Sequence, residues 1–155
     1  MRPASGIHPI MKIRTPLILL LALTALLLAV PVSAAATASV KRFPSGAKVG
    51  SISATGTRSA QTVTVRVNLA LKAPKGRWRA GVLVSLVCGE RSVSGSSKVV
   101  TFKGKTGTTR KIATTIRVPA GTCSIRRRVV ASVLVSRTTT GAATWARGQT
   151  AFRTT

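Results

Sequence analysis

The sequence predicts an all-β protein, an antiparallel β-sandwich of about seven strands with immunoglobulin- or fibronectin-like architecture. Apolar and polar residues alternate with a period of two in several segments, as they do in strands that bury one face. Clusters of Gly, Pro and Ser separate these segments, and no helical periodicity follows residue 34. Two sheets packed face to face would bury one face of each strand, so we expect a sandwich, with a small barrel as the alternative.

Residues 1–34 have the three-part layout of a secretory signal peptide. Cations precede an almost wholly apolar run at 17–30, and small residues follow it. We expect cleavage after Ala34, with Ala36 or Ala38 as alternative sites, and therefore a secreted or extracytoplasmic protein. An uncleaved membrane anchor is the competing interpretation, because the stretch from Pro16 to Val40 is apolar enough to approach the ~20 residues that cross a bilayer.

Residues 35–46 are predicted to be a flexible leader, and residues 47–155 to form the sandwich domain. Alternation is clearest where every odd residue from Val63 to Leu71 is apolar, and the even residues from Trp78 to Cys88 repeat it. Two shorter segments show the same pattern, and three weaker ones complete the set. In chain order the predicted strands are 48–54, 63–71, 78–88, 98–103, 112–118, 129–135 and 143–152.

Cys88 and Cys123 are the only cysteines, and export favours their oxidation to a structural disulfide. A metal site is disfavoured because no His follows the N-terminal segment, and a redox pair because there is no C-x-x-C motif. On the loop-entropy model the bond should stabilise the domain by about 3–4 kcal/mol.

The third and sixth predicted strands should be antiparallel neighbours, with the two cysteines opposite each other. This register sets Val82 opposite Val129 and keeps apolar side chains on the buried face. At one position, however, Arg127 would face Val84 in the core. We therefore expect a bulge or twist at 126–128 that releases the guanidinium.

The residue inventory argues strongly against catalysis. After residue 34 the chain contains no His, Asp or Tyr, and its one acidic residue is Glu90. Acid–base catalysis needs a group that titrates near neutral pH, and a Ser or Thr nucleophile needs an activating base. Ser97 and Lys98 are adjacent on a predicted strand and so point to opposite faces. We expect no enzyme activity, no catalytic residues, no metal and no cofactor.

The charge balance indicates what the protein binds. The chain has 25 Lys and Arg against one acidic residue, a formal net charge of +24. Three of these cations lie in residues 1–34, so the remaining chain keeps 22 against Glu90 alone. Almost none of this charge can be paired internally, so the folded protein should attract polyanions. The expected partners are anionic glycans, phosphate polymers, nucleic acid or anionic lipid.

The cations form three candidate binding clusters. One surrounds the turn into the third strand, where Trp78 lies between two arginines; its parity predicts that the ring is buried and the arginines point outward. Another flanks a Gly/Thr-rich hairpin, and the last begins the sixth strand. In order, the clusters are Lys72, Lys75, Arg77 and Arg79; Lys103, Lys105, Arg110 and Lys111; and Arg126 and Arg128.

Outward cations occur on both predicted sheets, which favours non-specific electrostatic contact over sequence-specific recognition. The leading hypothesis is a non-catalytic exported protein that binds anionic envelope or extracellular polymers. A membrane-active, toxin-like protein is the alternative, and it would require an exposed apolar wedge. Non-specific extracellular nucleic-acid binding is a third possibility with the same electrostatics.

Overall fold

The computed structural model describes residues 34–123 and 127–154. Within these residues the only regular secondary structure is β-strand, and all paired strands are antiparallel. The predicted signal peptide, apart from Ala34, falls outside the described residues. The strands are β1 (Ala34–Arg42), β2 (Lys48–Arg58), β3 (Thr62–Leu71), β4 (Gly76–Cys88), β5 (Arg91–Gly104), β6 (Arg110–Pro119), β7 (Arg127–Arg137) and β8 (Thr144–Arg153).

These strands form one eight-stranded sheet, in the order β5-β4-β7-β8-β1-β2-β3-β6, which is nearly closed into a barrel. The all-β antiparallel class is therefore confirmed, whereas the predicted sandwich and its immunoglobulin-like architecture are not. The difference lies in β1. Without it the order separates into β5-β4-β7-β8 and β2-β3-β6, the two sheets that a seven-stranded sandwich would have. β1 pairs with both β2 and β8 and joins them into one sheet.

The residues of β1 from Ala35 onward were predicted to belong to the flexible leader, and Ala34 to end the signal peptide. Their alternation is weak because the inward side chains of Ala36 and Ala38 are small, and only Val40 is a large core residue, with no exposed surface. On β8, Gly148 lies against Val40. A Cβ at Gly148 would be 2.8 Å from Cγ2 of Val40, so the glycine permits the close approach of the two strands.

The strong strands were predicted correctly. The odd residues of β3 from Val63 to Leu71, and the even residues of β4 from Trp78 to Leu86, are at most 2% exposed. Alternate residues of β7 from Val129 to Val135 are buried in the same way. These inward faces form one continuous hydrophobic core, which explains why period-two alternation located the strands.

The predicted antiparallel pairing of the third and sixth strands is confirmed, but the predicted register is wrong. β4 and β7 are antiparallel neighbours, but Val82 lies opposite Val133 and not Val129. The shift is even, so every side chain keeps its predicted face. Val129 and Val133 are both apolar and point to the same face of β7, so the alternation pattern cannot tell which of them lies opposite Val82. This accounts for the error in register.

Cys88 and Cys123 form the predicted disulfide, with Cα atoms 6.0 Å apart. The bond joins the end of β4 to the connection that precedes β7, and Cys88 faces Arg127 across the ladder. Arg127 is therefore at the end of the sheet, and its Nη2 donates to the carbonyl oxygen of Cys123 at 3.1 Å. The β4–β7 ladder is regular from Arg127 onward, so the expected bulge does not occur in its described part.

A seam remains between the two edge strands, β5 and β6. Side chains bridge it at both ends: Ser94 Oγ donates to the carbonyl oxygen of Pro119 at 2.8 Å, and Arg110 Nε donates to that of Lys103 at 3.0 Å. Lys98 of β5 lies opposite a core valine and is nevertheless exposed. A lysine at an inward position of an edge strand hinders pairing with another chain, because that pairing would bury its charge.

Candidate functional site

Alternate turns of an antiparallel sheet meet at the same end, and here they define two ends with different composition. We call one the tryptophan end: it comprises the connections 43–47, 72–75, 105–109 and 138–143 and the adjoining strand ends. We call the other the disulfide end: it comprises the connections 59–61 and 89–90, residues 120–123, and the strand ends beside them.

Two indole rings form the centre of the tryptophan end. The centroids of Trp78 and Trp145 are 4.8 Å apart, with the ring planes tilted by 49°. Trp78 is 2% exposed, as its parity predicted, and its Nε1 donates to the carbonyl oxygen of Pro74 at 2.9 Å. The guanidinium of Arg137 lies 5.2 Å from the centroid of the Trp78 ring, within the range of a cation–π interaction.

Local glycines let the 72–75 connection fold over this ring. Gly76 has a φ of +144°, a conformation that side-chain-bearing residues rarely adopt. A Cβ at Gly104 would collide with the carbonyl oxygen of Pro74 and would lie 2.8 Å from Nε1 of Trp78. The backbone of β5 can therefore approach the indole and bring the cations at its end beside those of β4.

A second ring–cation contact borders the first. The amide of Phe43 donates to the carbonyl oxygen of Trp145 at 2.8 Å, which ties the β1–β2 turn to β8. The Phe43 ring is 49% exposed, and the guanidinium of Arg147 lies 5.0 Å from its centroid. Cations at this end are thus held against aromatic faces as well as projecting into solvent.

The first and second predicted clusters converge at the tryptophan end. Arg77 of β4 lies directly opposite Lys103 of β5, and both side chains are exposed on the outer surface. Lys41 of β1 likewise lies between Lys48 and Arg147. Like charges on directly opposed residues destabilise a sheet. The cations of this end and its margins are Lys41, Arg42, Lys48, Lys72, Lys75, Arg77, Arg79, Lys103, Lys105, Arg110, Lys111, Arg137 and Arg147, and no carboxylate side chain lies among them.

The third predicted cluster is at the disulfide end. Arg128 lies opposite Arg153, another like-charge pair, and Arg126 falls outside the described residues. Glu90 is exposed at this same end, and no ion pair involves it within residues 34–123 and 127–154. The described cations here are Arg58, Arg91, Arg117, Arg127, Arg128 and Arg153.

Two open hollows adjoin Trp78. One, of about 460 Å³, is lined by Arg77, Trp78, Thr101, Phe102, Lys103 and Thr138. The other, of about 280 Å³, is lined by Arg42, Phe43, Trp78, Arg137, residues 142–144 and Trp145. Each hollow therefore combines aromatic surface with cationic side chains.

The sequence pattern missed several cations of this site. Arg42, Arg137 and Arg147 lie far apart in the chain. Arg42 belongs to an unpredicted strand and Arg147 to a weakly predicted one, whereas Arg137 lies just beyond the predicted end of a clear strand. The available signal was topological: each lies close to a turn, and alternate turns of an antiparallel sheet share an end.

In the described ranges there is no group of three or more His, Cys, Asp and Glu residues that could hold a metal ion, and no helix long and apolar enough to cross a membrane. Neither a family model nor a curated protein nor a solved structure matches the chain.

Proposed function

We propose that this is a non-catalytic, exported, strongly basic protein that binds anionic polymers through its tryptophan end. One observation carries the proposal: two cationic clusters meet there, with Arg77 directly opposite Lys103 and no carboxylate side chain nearby to neutralise them. Self-repulsion of this kind is relieved when a polyanion supplies the missing negative charge.

The partner class follows from the same chemistry. Lys and Arg contacts to phosphate, sulfate or uronate groups depend on charge density and carry little information about sequence or linkage. Anionic envelope or extracellular glycans and phosphate polymers suit such a surface. Nucleic acid should compete for it, because its phosphates present the same charge.

The test compares two variants that each lose four positive charges. The tryptophan-end variant replaces Lys72, Lys75, Arg77 and Lys103 with Gln, and the disulfide-end variant replaces Arg91, Arg117, Arg128 and Arg153 with Gln. Binding to polyphosphate, heparin and DNA is measured by fluorescence anisotropy over a series of salt concentrations.

For the unmodified protein, log affinity should fall linearly with log salt, by roughly 0.7–0.9 per nucleic-acid phosphate contacted. The tryptophan-end variant should lose more affinity and have a shallower salt slope than the disulfide-end variant. Equal losses would indicate a diffuse coat without a preferred end. Affinity that is unchanged at about 1 M salt, where the Debye length is ~3 Å, would contradict electrostatic binding altogether.

Export is a separate part of the proposal. The disulfide is compatible with an oxidising, extracytoplasmic location. Cleavage after Ala34 would leave the β1 residues that pair with β2 from Ala35 onward, whereas cleavage after Ala38 would remove several of those pairs. Intact-mass analysis of secreted protein should therefore give an N-terminus at or close to Ala35 and no free thiol. Retention of residues 1–34, or alkylation of both cysteines, would contradict it.

A further inference from the structure

The outer surface of β5, β4 and β7 carries exposed aliphatic side chains at adjacent positions. Gly81 of β4 lies opposite Val99 of β5 on one side and Leu134 of β7 on the other. Val99 is 64% exposed, Leu134 is 57% exposed, and Leu83, the next outward residue of β4, is 46% exposed. We call Leu83, Val99 and Leu134 the aliphatic patch.

The outer surface of β1 and β2 has a different composition. There Ser39 lies opposite Ser51, and Thr37 opposite Ser53. This is the polar outer face expected of a strand that buries its other face. In the aliphatic patch, by contrast, three neighbouring strands each expose an apolar side chain on the outer surface. The surface above Gly81 is open, because a Cβ there would have only the carbonyl oxygen of Leu134 within 4 Å, at 3.9 Å. Gly81 therefore leaves the aliphatic side chains on either side of it uncovered.

Cations border the aliphatic patch. Leu134 lies opposite Arg147 of β8, which in turn lies opposite Lys41 of β1. A groove of about 450 Å³ runs along this boundary and is lined by both Leu134 and Arg147. On the side toward the tryptophan end, Nε of Arg79 donates to Oγ of Ser136 at 3.0 Å, which holds that guanidinium beside the patch.

We infer that the aliphatic patch docks on the surface of a lipid bilayer that contains anionic lipids. In this arrangement the three aliphatic side chains enter the boundary between headgroups and acyl chains, and Arg79 and Arg147 contact headgroup phosphates. Apolar side chains flanked by cations are the combination with which proteins bind such interfaces. The aliphatic patch shares Arg79 and Arg147 with the margin of the tryptophan end, but its three aliphatic side chains lie outside that end, and the inference does not depend on polymer binding there.

Charge complementarity separates this partner from the other possible occupants. A hydrophilic anionic polymer would neutralise the arginines but would leave the aliphatic side chains in water. A second copy of the chain would cover the aliphatic side chains but would bring another strongly positive molecule, with its own Arg79 and Arg147, against the same surface. An anionic bilayer offers acyl chains and negative headgroups together.

Vesicle co-sedimentation tests the inference with the purified protein. Phosphatidylcholine vesicles are compared with vesicles of phosphatidylcholine and phosphatidylglycerol. The patch variant, Leu83→Ser/Val99→Thr/Leu134→Ser, keeps every charge, and the rim variant, Arg79→Gln/Arg147→Gln, keeps the aliphatic side chains. A control variant, Ala70→Ser/Ala113→Ser, changes outward residues of β3 and β6. Circular dichroism confirms that each variant is folded, and heparin binding provides a second check for the patch and control variants, which keep every charge.

The protein should bind the anionic vesicles and leave the phosphatidylcholine vesicles largely unbound. The patch variant should lose at least about tenfold in vesicle affinity, because it loses the aliphatic area that the bilayer would bury. It should bind heparin as before, because its charge is unchanged. The rim variant should also bind vesicles more weakly, and the control variant should not. Vesicle binding by the patch variant that equals that of the unmodified protein would overturn the inference. So would self-association of the unmodified protein that the patch variant abolishes.

A reporter residue tests the orientation. Leu134→Trp places an indole in the aliphatic patch, whereas Ser53→Trp places one on the outer surface of β2. With phosphatidylglycerol vesicles whose acyl chains are brominated, emission should be quenched beyond the background of the native tryptophans for Leu134→Trp only. Equal quenching of the two variants would contradict the assigned face, and so would the absence of added quenching in both.

Discussion

The two ends of the sheet are built from the same strands but are closed in different ways. At the disulfide end, Cys88 and Cys123 are joined covalently, and the one acidic side chain, Glu90, lies nearby. At the tryptophan end the corresponding closure is non-covalent, since Trp78 packs against Trp145 beneath the 72–75 connection.

The comparison shows where the repulsion between cations is concentrated. Like charges oppose each other at both ends, in Arg77–Lys103 and in Arg128–Arg153. Only at the tryptophan end are the cations numerous, free of carboxylate side chains and set around aromatic rings. We therefore propose that the end closed by ring packing is the binding end, and that the covalently closed end serves to hold the sheet together.

The largest effect is expected from removing the ring that closes the tryptophan end. Trp78→Ala should lower the free energy of unfolding by about 3–5 kcal/mol, because it leaves a cavity beneath Pro74 and removes the partner of Trp145. Trp78→Phe keeps an aromatic ring and should cost distinctly less. Urea denaturation followed by circular dichroism measures both. A loss below about 1 kcal/mol for Trp78→Ala would show that this end closes without its tryptophan.

Opening the disulfide end should have an effect of similar or slightly smaller size. Cys88→Ser/Cys123→Ser should lower stability by about 3–4 kcal/mol for a cross-link between residues 35 apart in the chain. The variant that remains folded should bind heparin as the unmodified protein does. This result would show that the disulfide end stabilises the protein without taking part in binding. Unfolding midpoints that match in the oxidised protein and the variant would contradict the stabilising role.

Charge reversal at matched positions should have smaller effects. Lys103→Glu places a carboxylate opposite Arg77, and Arg153→Glu places one opposite Arg128. Each should raise stability by about 0.2–1 kcal/mol, since an opposite-charge pair replaces a like-charge one. Heparin affinity should fall more for Lys103→Glu. If the two substitutions weaken binding equally, the ends do not differ in function.

The smallest expected effect is that of acid. Glu90 forms no ion pair with the described residues, and the chain has no other carboxylate side chain. The melting temperature at fixed salt should therefore be nearly constant from neutral pH to about pH 3, unlike that of proteins whose paired carboxylates protonate in this range. Lys103→Glu should introduce an acid-dependent loss of the stability that it adds. A steep fall for the unmodified protein would mean that Glu90 anchors a contact.

The sequence was sufficient for the local features and insufficient for the long-range ones. Alternation identified the buried residues of β3, β4 and β7, and the cysteine count identified the disulfide. Strand register was not predictable, since shifting Val82 from Val129 to Val133 exchanges one buried valine for another.

The closure of the sheet was missed for a related reason. β1 begins with small residues, so its inward side chains contrast little with its outward ones, and Ala36 and Ala38 gave no recognisable pattern. The candidate site was predicted as separate clusters, because Arg77 and Lys103 are neighbours only through the β4–β5 pairing. The aliphatic patch was equally hidden, since Val99 and Leu134 adjoin Gly81 only in the folded sheet.

The pairing of β1 with β8 also determines the order in which the molecule can be completed. These are the first and last of the eight strands in chain order, and the joint between the two halves of the sheet depends on both. Synthesis and the proposed export both deliver β1 before β8. β1 therefore cannot complete its contacts until β8 has emerged, and contacts so distant in sequence form slowly. During this delay the unfinished chains expose strand edges that could associate. Their own unpaired positive charge should keep them apart, so the composition that we propose to attract polyanions would also protect the protein while it folds.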